Sequence, residues 1–268
     1  MKTLFGILRD HFIWKHQIFK LAKSDIIKTY SGTAFGWGWA LVKPTVTIVV
    51  FWFVLTVGFR AGATASGDPY ILWLIAGLIP WFYMDEMITG GTSAYLTYSY
   101  LITKMKFPVS TITTFIGISK LIVHLFLMII VLIIFAVYGY YPDIYLLQLP
   151  LYMALMFIFF SNWALFAAML SAISKDFMNF VVSFVTAVFW LSGILFDVRM
   201  INTPWIRTVL MFNPVTFCAE GYRDVFLYKV WIWEEPVKLL TFSCTFVVMV
   251  ILAVWSYKKL YKEIPDVL

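Results

Sequence analysis

Long apolar runs, separated by short polar links, dominate this sequence and leave few fold classes open. A helix needs about 20 apolar residues to cross the hydrocarbon of a bilayer. Only 13% of the residues are charged, against about 25% in ordinary soluble domains. The sequence therefore predicts an all-α membrane protein with six transmembrane helices, at about residues 41–59, 70–94, 109–138, 147–173, 177–196 and 237–257.

The distribution of positive charge predicts the orientation of these spans. Seven Lys or Arg residues precede or include Lys43, and further lysines lie in the 95–108 loop, at Lys175 and in the C-terminal tail. Because Lys and Arg accumulate on the cytoplasmic side of a membrane, both ends of the chain are expected to be cytoplasmic. The same distribution argues against nucleic acid as the partner of the net charge of +6.

Residues 1–40 are predicted to form a cytoplasmic interface segment. Apolar side chains at positions 5, 8, 12 and 19 recur at near-helical spacing among basic residues. This pattern is typical of an amphipathic helix that lies on the bilayer surface. A solvated basic tail is the alternative interpretation.

The passage from this segment into the first span is predicted to be a hinge at the membrane surface. Gly32 and Gly36 are four residues apart, so on a helix they share one face and let another backbone approach closely. Trp39 is an aromatic side chain of the kind found at the headgroup level. The residues assigned to the hinge are Tyr30, Gly32, Gly36, Trp39 and Pro44.

Four ionisable side chains fall inside predicted spans, where charge is costly and therefore indicates a functional candidate. Asp85 and Glu86 lie in the second span, and Lys120 and His124 lie in the third. Lys120 and the two acids are a similar distance from the 95–108 loop, which predicts an ion pair between Lys120 and one of them. Such a pair serves either transport or the locking of two helices.

The segment 197–236 is too apolar for an ordinary outer loop. We expect two short helices here, one around residues 200–212 and one through Phe217 to Leu227. A re-entrant pair that dips into the outer leaflet before the last span fits this length, since non-helical backbone at that depth must be covered by protein. With the six spans it would complete a transmembrane domain over residues 41–268.

The sequence offers no enzyme chemistry of its own. The nearest approach to a phosphate-binding loop, residues 62–67, is followed by Asp68 and Pro69 where a lysine is needed. The three histidines lack the spacing of metal ligands, and two cysteines do not make a disulfide framework. We therefore expect no catalytic residue, metal or cofactor in this chain, and a separate source of energy for any uphill transport.

Several short motifs resemble those of the membrane subunits of polysaccharide-exporting ABC transporters. Tyr30 is followed by Phe-Gly-Trp-Gly-Trp-Ala at 35–40 and then by Pro44; residues 77–82 read Gly-Leu-Ile-Pro-Trp-Phe, and residues 101–108 read Leu-Ile-Thr-Lys-Met-Lys-Phe-Pro. The chain departs from the family pattern before Tyr30, where an Arg is missing, and at 192–196. The motifs occur in the family's order over nearly the whole chain.

The resemblance implies a permease subunit of the bacterial cytoplasmic (inner) membrane. It implies a homodimer, paired with two copies of an ABC ATPase that bind ATP and Mg²⁺, and an undecaprenyl-pyrophosphate-linked polymer as cargo. The segment 97–108 would be a coupling helix seated on the ATPase. Its contact residues would be Leu101, Ile102, Lys104, Lys106, Phe107 and Pro108.

Wall teichoic acid is the preferred cargo, because a basic cytoplasmic surface suits a polyanion. O-antigen and capsule are close alternatives within the same family. A drug- or small-molecule-exporting ABC-2 permease and a proton-coupled secondary transporter are the other classes that fit. The residues assigned to a substrate path are Trp73, Trp81, Phe82, Lys20, Lys23 and Lys28.

Overall fold

The computed structural model describes residues 2–60, 67–105 and 107–268, and these residues form helices and no strand. Three single turns of 3₁₀ helix (Gly36–Gly38, Val198–Met200 and Ile232–Glu234), the 3₁₀ segment Ile144–Gln148 and two π-helical turns (Val54–Gly58 and Asp224–Tyr228) extend or link the α-helices. The α-helices are α1 (Lys2–Ile13), α2 (Lys15–Tyr30), α3 (Trp39–Phe53), α4 (Tyr70–Thr92), α5 (Ala94–Thr97), α6 (Ser99–Thr103), α7 (Val109–Val137), α8 (Leu149–Ile173), α9 (Lys175–Trp190), α10 (Pro204–Met211), α11 (Pro214–Arg223), α12 (Pro236–Leu260) and α13 (Ile264–Val267).

Five helical segments in the described part of the chain are long and apolar enough to cross a membrane. This confirms the predicted all-α membrane class. The fifth predicted span, 177–196, corresponds to α9, which has 16 residues and is therefore about 24 Å long, less than the ~30 Å of hydrocarbon. The count of six stays a prediction. The five segments are Gly36–Gly58, Tyr70–Thr92, Val109–Val137, Ile144–Ile173 and Pro236–Leu260.

Helix α4 is the centre of the molecule. Its most apolar 18-residue window is 78% buried, whereas that of Gly36–Gly58 is 11% buried. Helices α3, α7, α8, α9 and α11 all pack against α4. A helix that is apolar all round belongs in such a place. Helix α3, by contrast, leaves most of its apolar surface uncovered by this chain.

The N-terminal helices present two different faces. Ile18, Ala22 and Ile26 of α2 are buried, and α2 packs on α7. On the uncovered side, Phe5 and Phe12 are 72% and 73% exposed. Leu8 and Phe19, the other two apolar positions noted in the sequence, are also exposed. An apolar stripe of this kind on a basic helix fits the interfacial placement that the sequence predicts.

The predicted role of the two hinge glycines is wrong. Gly32 and Gly36 have φ of +77° and +49° and lie between α2 and α3, so they do not share a helical face. A Cβ at either position would meet nothing within 4 Å, so no backbone of the described residues of this chain approaches there. Left-handed backbone at glycine reverses the chain direction instead. Tyr30 stacks on Trp37 across this turn, with ring centroids 5.3 Å apart.

Two adjacent glycines of α4 provide a stability test of the packing. A Cβ on Gly91 would lie 2.6 Å from the Cβ of Ala164 in α8, whereas a Cβ on Gly90 would meet nothing within 4 Å. We expect Gly91→Ala to destabilise the fold by about 1–3 kcal/mol through overpacking. Gly90→Ala should stabilise it by about 0.5–1 kcal/mol, since Gly is unfavourable inside a helix. Thermal unfolding in detergent measures both, and equal effects would contradict the close α4–α8 approach.

Candidate functional site: a polar cavity and a buried charge cluster

A cavity of about 550 Å³ lies where the turn after α2 meets α3, α4 and α7. It brings together residues that the sequence assigned to three separate sets. Tyr30, Trp39 and Pro44 come from the hinge, and Trp81 and Phe82 come from the substrate path. The intramembrane polar residues also line this cavity; they are Asp85, Glu86, Lys120 and His124.

The ion pair predicted for Lys120 is present, and its partner is Glu86. Lys120 Nζ lies 2.6 Å from Glu86 Oε2, and their side chains are 17% and 51% exposed. Asp85 faces the same cavity and has no ion pair among the described residues. The cavity therefore carries one paired carboxylate and one free carboxylate beside aromatic rings.

Tyr30 closes the cavity from the interface side. Burial raises the pKa of its phenol, and the negative charge of Glu86 acts in the same direction. The hydroxyl therefore stays protonated and can donate a hydrogen bond at neutral pH.

Asp25 fixes the interface segment to the membrane helices beside this cavity. Its carboxylate is 9% exposed and accepts hydrogen bonds from Tyr98 Oη and Ser119 Oγ. The sequence analysis missed this residue. The signal was available, because Asp25 occurs on the face of α2 that Ile18 and Ala22 define as apolar.

His124 links the cavity to α11. Its Nε2 lies 2.8 Å from Tyr222 Oη, and its ring is 5.9 Å from that of Tyr83. The side chain is 2% exposed. His124 is therefore both a wall of the cavity and a contact between α7 and α11.

Arg223 is the centre of a second polar site, which is buried among α4, α9 and α11. It is 0% exposed. Its Nη1 and Nη2 each donate, at 2.7 Å, to the carbonyls of Gly193 and Ile194, and Nη1 also lies 2.6 Å from Glu220 Oε1. These two carbonyls lie in irregular backbone after α9. Buried carbonyls need a hydrogen-bond donor, and here one guanidinium provides it for both.

The assignment of Trp73 to a substrate path is wrong. Its side chain is 1% exposed, and Arg223 lies over its ring at 3.4 Å. Its Nε1 donates to Tyr228 Oη at 2.8 Å. The ring is packed inside the subunit. Arg223 makes a cation–π contact with it and also donates from Nε to the backbone carbonyl of Trp73.

The charge cluster extends from Arg223 through Asp224, which is also 0% exposed. Arg199 Nη2 lies 2.8 Å from Asp224 Oδ1, and Lys238 Nζ pairs with Asp224 Oδ2. None of these charged residues was assigned to a site from the sequence. Glu220, Arg223 and Asp224 stand at i, i+3 and i+4, a spacing that puts them on one helical face and could have revealed the cluster.

The predicted coupling residues separate into buried and exposed groups. Leu101, Ile102 and Phe107 are 2%, 4% and 5% exposed, and Phe107 packs edge-on against Trp14 at 5.0 Å. These three side chains are therefore packed inside the chain. Lys104 is exposed and Pro108 directly precedes α7, whereas Lys106 lies outside the described residues.

The surface that this region does present is made by neighbouring residues. Leu96, Tyr100 and Met105 are 36%, 44% and 63% exposed, with Lys104 among them. We call these four residues the α5–α6 strip. Lys20, Lys23 and Lys28 are also exposed, on α2, and none of them lines the cavity.

A charge swap tests whether Glu86 and Lys120 act as a pair. We expect Glu86→Lys and Lys120→Glu each to lower stability and transport, because each leaves like charges together at membrane depth. The double variant should recover stability, with a coupling energy of about 1–3 kcal/mol in a double-mutant cycle. Asp85→Lys with Lys120→Glu is the matched control. Recovery in the control but not in Glu86→Lys/Lys120→Glu would contradict the observed partner.

The described part of the chain contains no group of three or more His, Cys, Asp or Glu side chains that could hold a metal ion. Its long apolar helices, with a polar cavity and a buried charge cluster among them, define a multi-pass membrane protein.

The chain belongs to the ABC-2 type transporter family, whose profile matches residues 16–227. It is similar to an O-antigen export system permease protein RfbA of Myxococcus xanthus, with 20% identity over 83% of this chain and 85% of that protein. A protein of the same name from Klebsiella pneumoniae is 25% identical over 87% of this chain and 86% of its own length.

Proposed function

We propose that this chain is the membrane subunit of a bacterial ABC transporter that exports a lipid-linked polysaccharide of the O-antigen type. The family match over residues 16–227 carries the proposal. The O-antigen export permeases, which align with 83–87% of the chain, support the choice of cargo. The wall teichoic acid preferred from the sequence has no such support, and positive-inside topology alone accounts for the basic residues that suggested it.

Two copies of a separate ABC ATPase would bind ATP and Mg²⁺ and drive the subunit. The α5–α6 strip is the surface that we assign to this contact. It is apolar at its centre, carries Lys104, and lies on the side of the membrane where the positive charges accumulate. Exposed aromatic and Met side chains such as Tyr100 and Met105 are enriched in protein interfaces.

A second copy of the chain would complete the membrane part. Helix α3 supports this assignment, because most of its apolar side chains remain uncovered. Val46, Val50 and Phe53, for example, are 56%, 52% and 57% exposed. The export path would then run between the two copies and would be closed or opened when the ATPases move the interface helices.

The polar cavity is where we place the first contact with cargo. Trp81 and Phe82 offer aromatic faces, while Asp85 and Lys43 offer an acceptor and a cation. Sugar rings pack on such faces and exchange hydrogen bonds with charged groups, and a pyrophosphate would pair with the lysine. The undecaprenyl chain of the substrate would remain in the bilayer.

Reconstitution with the ATPase tests the proposed function. The subunit and its neighbouring ATPase would be placed in lipid nanodiscs, with and without an undecaprenyl-pyrophosphate-linked O-antigen precursor. We expect a stable complex whose ATP hydrolysis the precursor stimulates. Stimulation by small hydrophobic drugs in its place would support a drug exporter. A subunit that binds no ATPase and moves protons in liposomes would overturn the proposal in favour of a secondary transporter.

A further inference from the structure

One buried carboxylate joins three elements of the fold at a single point. Asp25 lies on α2 and is 9% exposed. Its Oδ1 accepts a hydrogen bond from Tyr98 Oη, and its Oδ2 accepts one from Ser119 Oγ. Tyr98 stands between α5 and α6, and Ser119 belongs to α7. Both oxygens of the carboxylate are therefore used, each toward a different part of the bundle.

Tyr98 connects Asp25 to the α5–α6 strip. It directly follows α5, which contains Leu96, and directly precedes α6, which contains Tyr100. Its side chain is 6% exposed and meets Phe115 of α7 edge-on at 5.0 Å, while Lys28 Nζ lies over its ring at 5.1 Å. Contacts with both α2 and α7 thus fix the direction in which its hydroxyl points.

The other two connections of Asp25 lead to the polar cavity. On α7, Ser119 is followed by Lys120, which lines the cavity and pairs with Glu86. On α2, Asp25 precedes Tyr30, another cavity residue, by five positions or about one and a half helical turns. A displacement of Asp25 would therefore reach two walls of the cavity through the helices that carry them.

The hydrogen bond to Tyr98 is a more definite connection than the packing around it. Among the residues that the structure describes, it is the one hydrogen bond that joins a side chain of residues 94–103 to another helix. Helix α5 also packs on α7 and α8, but apolar packing has no preferred direction. A hydrogen bond to a carboxylate is directional and about twice as strong as one between neutral groups.

We propose that Asp25 is the positioning residue that transmits movement of the α5–α6 strip to the polar cavity. The inference rests on the proposed function, in which the ATPase contacts this strip. When the ATPase displaces α5 and α6, Tyr98 moves the carboxylate, and α2 and α7 move with it. Coupling between distant sites is carried by hydrogen-bonded networks of this kind. Asp25 itself does not line the cavity and acts only through Tyr98 and Ser119.

Two variants remove one hydrogen bond each and leave Asp25 in place: Tyr98→Phe and Ser119→Ala. Thr111→Val is the matched control. Thr111 is 0% exposed on α7, and its hydroxyl donates to the carbonyl of Pro108 at 2.7 Å, so this variant loses a hydrogen bond that joins no second helix. The affinity for the ATPase, the basal ATP hydrolysis and its stimulation by the lipid-linked precursor would be measured in nanodiscs.

We expect every variant to bind the ATPase as the unmodified chain does. Stimulation by the precursor should be lost in Tyr98→Phe and in Ser119→Ala and retained in Thr111→Val. Because the two hydrogen bonds act in series, the double variant should lose no more than either single one. A merely structural role would lower the melting temperature and leave stimulation unchanged.

The outcomes separate this inference from the function on which it rests. Stimulation that persists in Tyr98→Phe or in Ser119→Ala would overturn the role of Asp25 while the transporter assignment stands. Loss of stimulation in Thr111→Val as well would also overturn it, in favour of a general loosening of α7. An unmodified chain that binds no ATPase would overturn the proposed function and this inference together.

Thr47→Cys reports on the cavity directly. Thr47 is an exposed residue of its lining, and Cys244→Ser removes the native cysteine that is exposed. We expect the ATPase with a non-hydrolysable ATP analogue to change the rate at which N-ethylmaleimide alkylates position 47. This response should be lost when Tyr98→Phe is added. A response that survives Tyr98→Phe would contradict transmission through the carboxylate.

Substitutions of Asp25 itself complete the test. Asp25→Ala should lose the response at position 47, because neither hydrogen bond can form. Asp25→Asn should restore it, because the amide oxygen can accept from Tyr98 and the amide nitrogen can donate to Ser119 Oγ. An equal response in Asp25→Ala and in the unmodified chain would overturn the proposal, as would a failure of Asp25→Asn to exceed Asp25→Ala.

Discussion

Arg223→Ala should unfold a large fraction of this protein, with a loss of about 3–5 kcal/mol of folding free energy. The substitution removes the guanidinium that donates to the carbonyls of Gly193 and Ile194. It also removes the ion pair between Arg223 and Glu220, whose side chain is buried at 4% exposure. Removing one member of a buried charge network costs more than the pair itself contributes, because the remaining charge cannot be rehydrated.

The measurement is the yield of monodisperse protein after detergent extraction, followed by thermal unfolding of whatever survives. Arg207→Ala is the matched control, since Arg207 lies in α10 and makes no ion pair among the described residues. Arg223→Lys should recover little, because an ammonium group cannot serve two carbonyls and an aromatic face at once. A stable Arg223→Ala protein would show that the segment after α9 does not need its guanidinium.

The helical architecture could be predicted from the sequence because each span is a local signal. The predicted boundaries of the second and third spans, 70–94 and 109–138, differ from α4 and α7 by at most two residues. Apolar length and flanking polar residues are sufficient for this, since every backbone group of a spanning helix pairs within its own segment. The fifth predicted span, 177–196, matches its helix less well: α9 begins with Lys175 and Asp176 and ends at Trp190, and Gly193 beyond it takes a positive φ of 68°.

The candidate site could be predicted only where residues stand out against their surroundings. Asp85, Glu86 and Lys120 are charged residues in apolar runs, and they were found for that reason. Trp73 and Trp81 are equivalent in sequence, yet the first is covered by Arg223 and the second lines the cavity. The difference arises because Trp73 contacts Arg223, which is 150 residues away in the sequence. A local sequence pattern cannot predict such a contact.

The same limit applies to the coupling segment. The sequence shows apolar and basic residues at 101–108 but not which of them turn inward. A hydrogen bond from Phe107 N to the carbonyl of Leu101, 2.9 Å long, closes this loop and directs both side chains toward the protein. We therefore expect any ATPase contact of this segment to be made by the exposed residues of the α5–α6 strip, and not by the buried residues of the family-like motif.

Met105→Glu should abolish coupling to the ATPase while the subunit still folds. Met105 is 63% exposed in the α5–α6 strip, and a carboxylate there would have to lose its water in an apolar contact. Central apolar side chains of an interface contribute about 2 kcal/mol or more, so we expect the affinity for the ATPase to fall about 30-fold. Binding of the purified ATPase to the subunit in nanodiscs measures the affinity, and precursor-stimulated ATP hydrolysis should be lost with it.

Tyr141→Glu separates this effect from a general cost of surface charge. Tyr141 is 71% exposed in the turn between α7 and α8, at the opposite end of α7 from the strip, so its substitution should leave ATPase binding unchanged. Leu101→Ala should behave in the opposite way to Met105→Glu: it truncates a side chain that is 2% exposed and should cost about 2–5 kcal/mol of stability. If Met105→Glu bound the ATPase normally while folded Leu101→Ala protein did not, the motif residues would be the contact after all, and this loop would have to open before the two subunits meet.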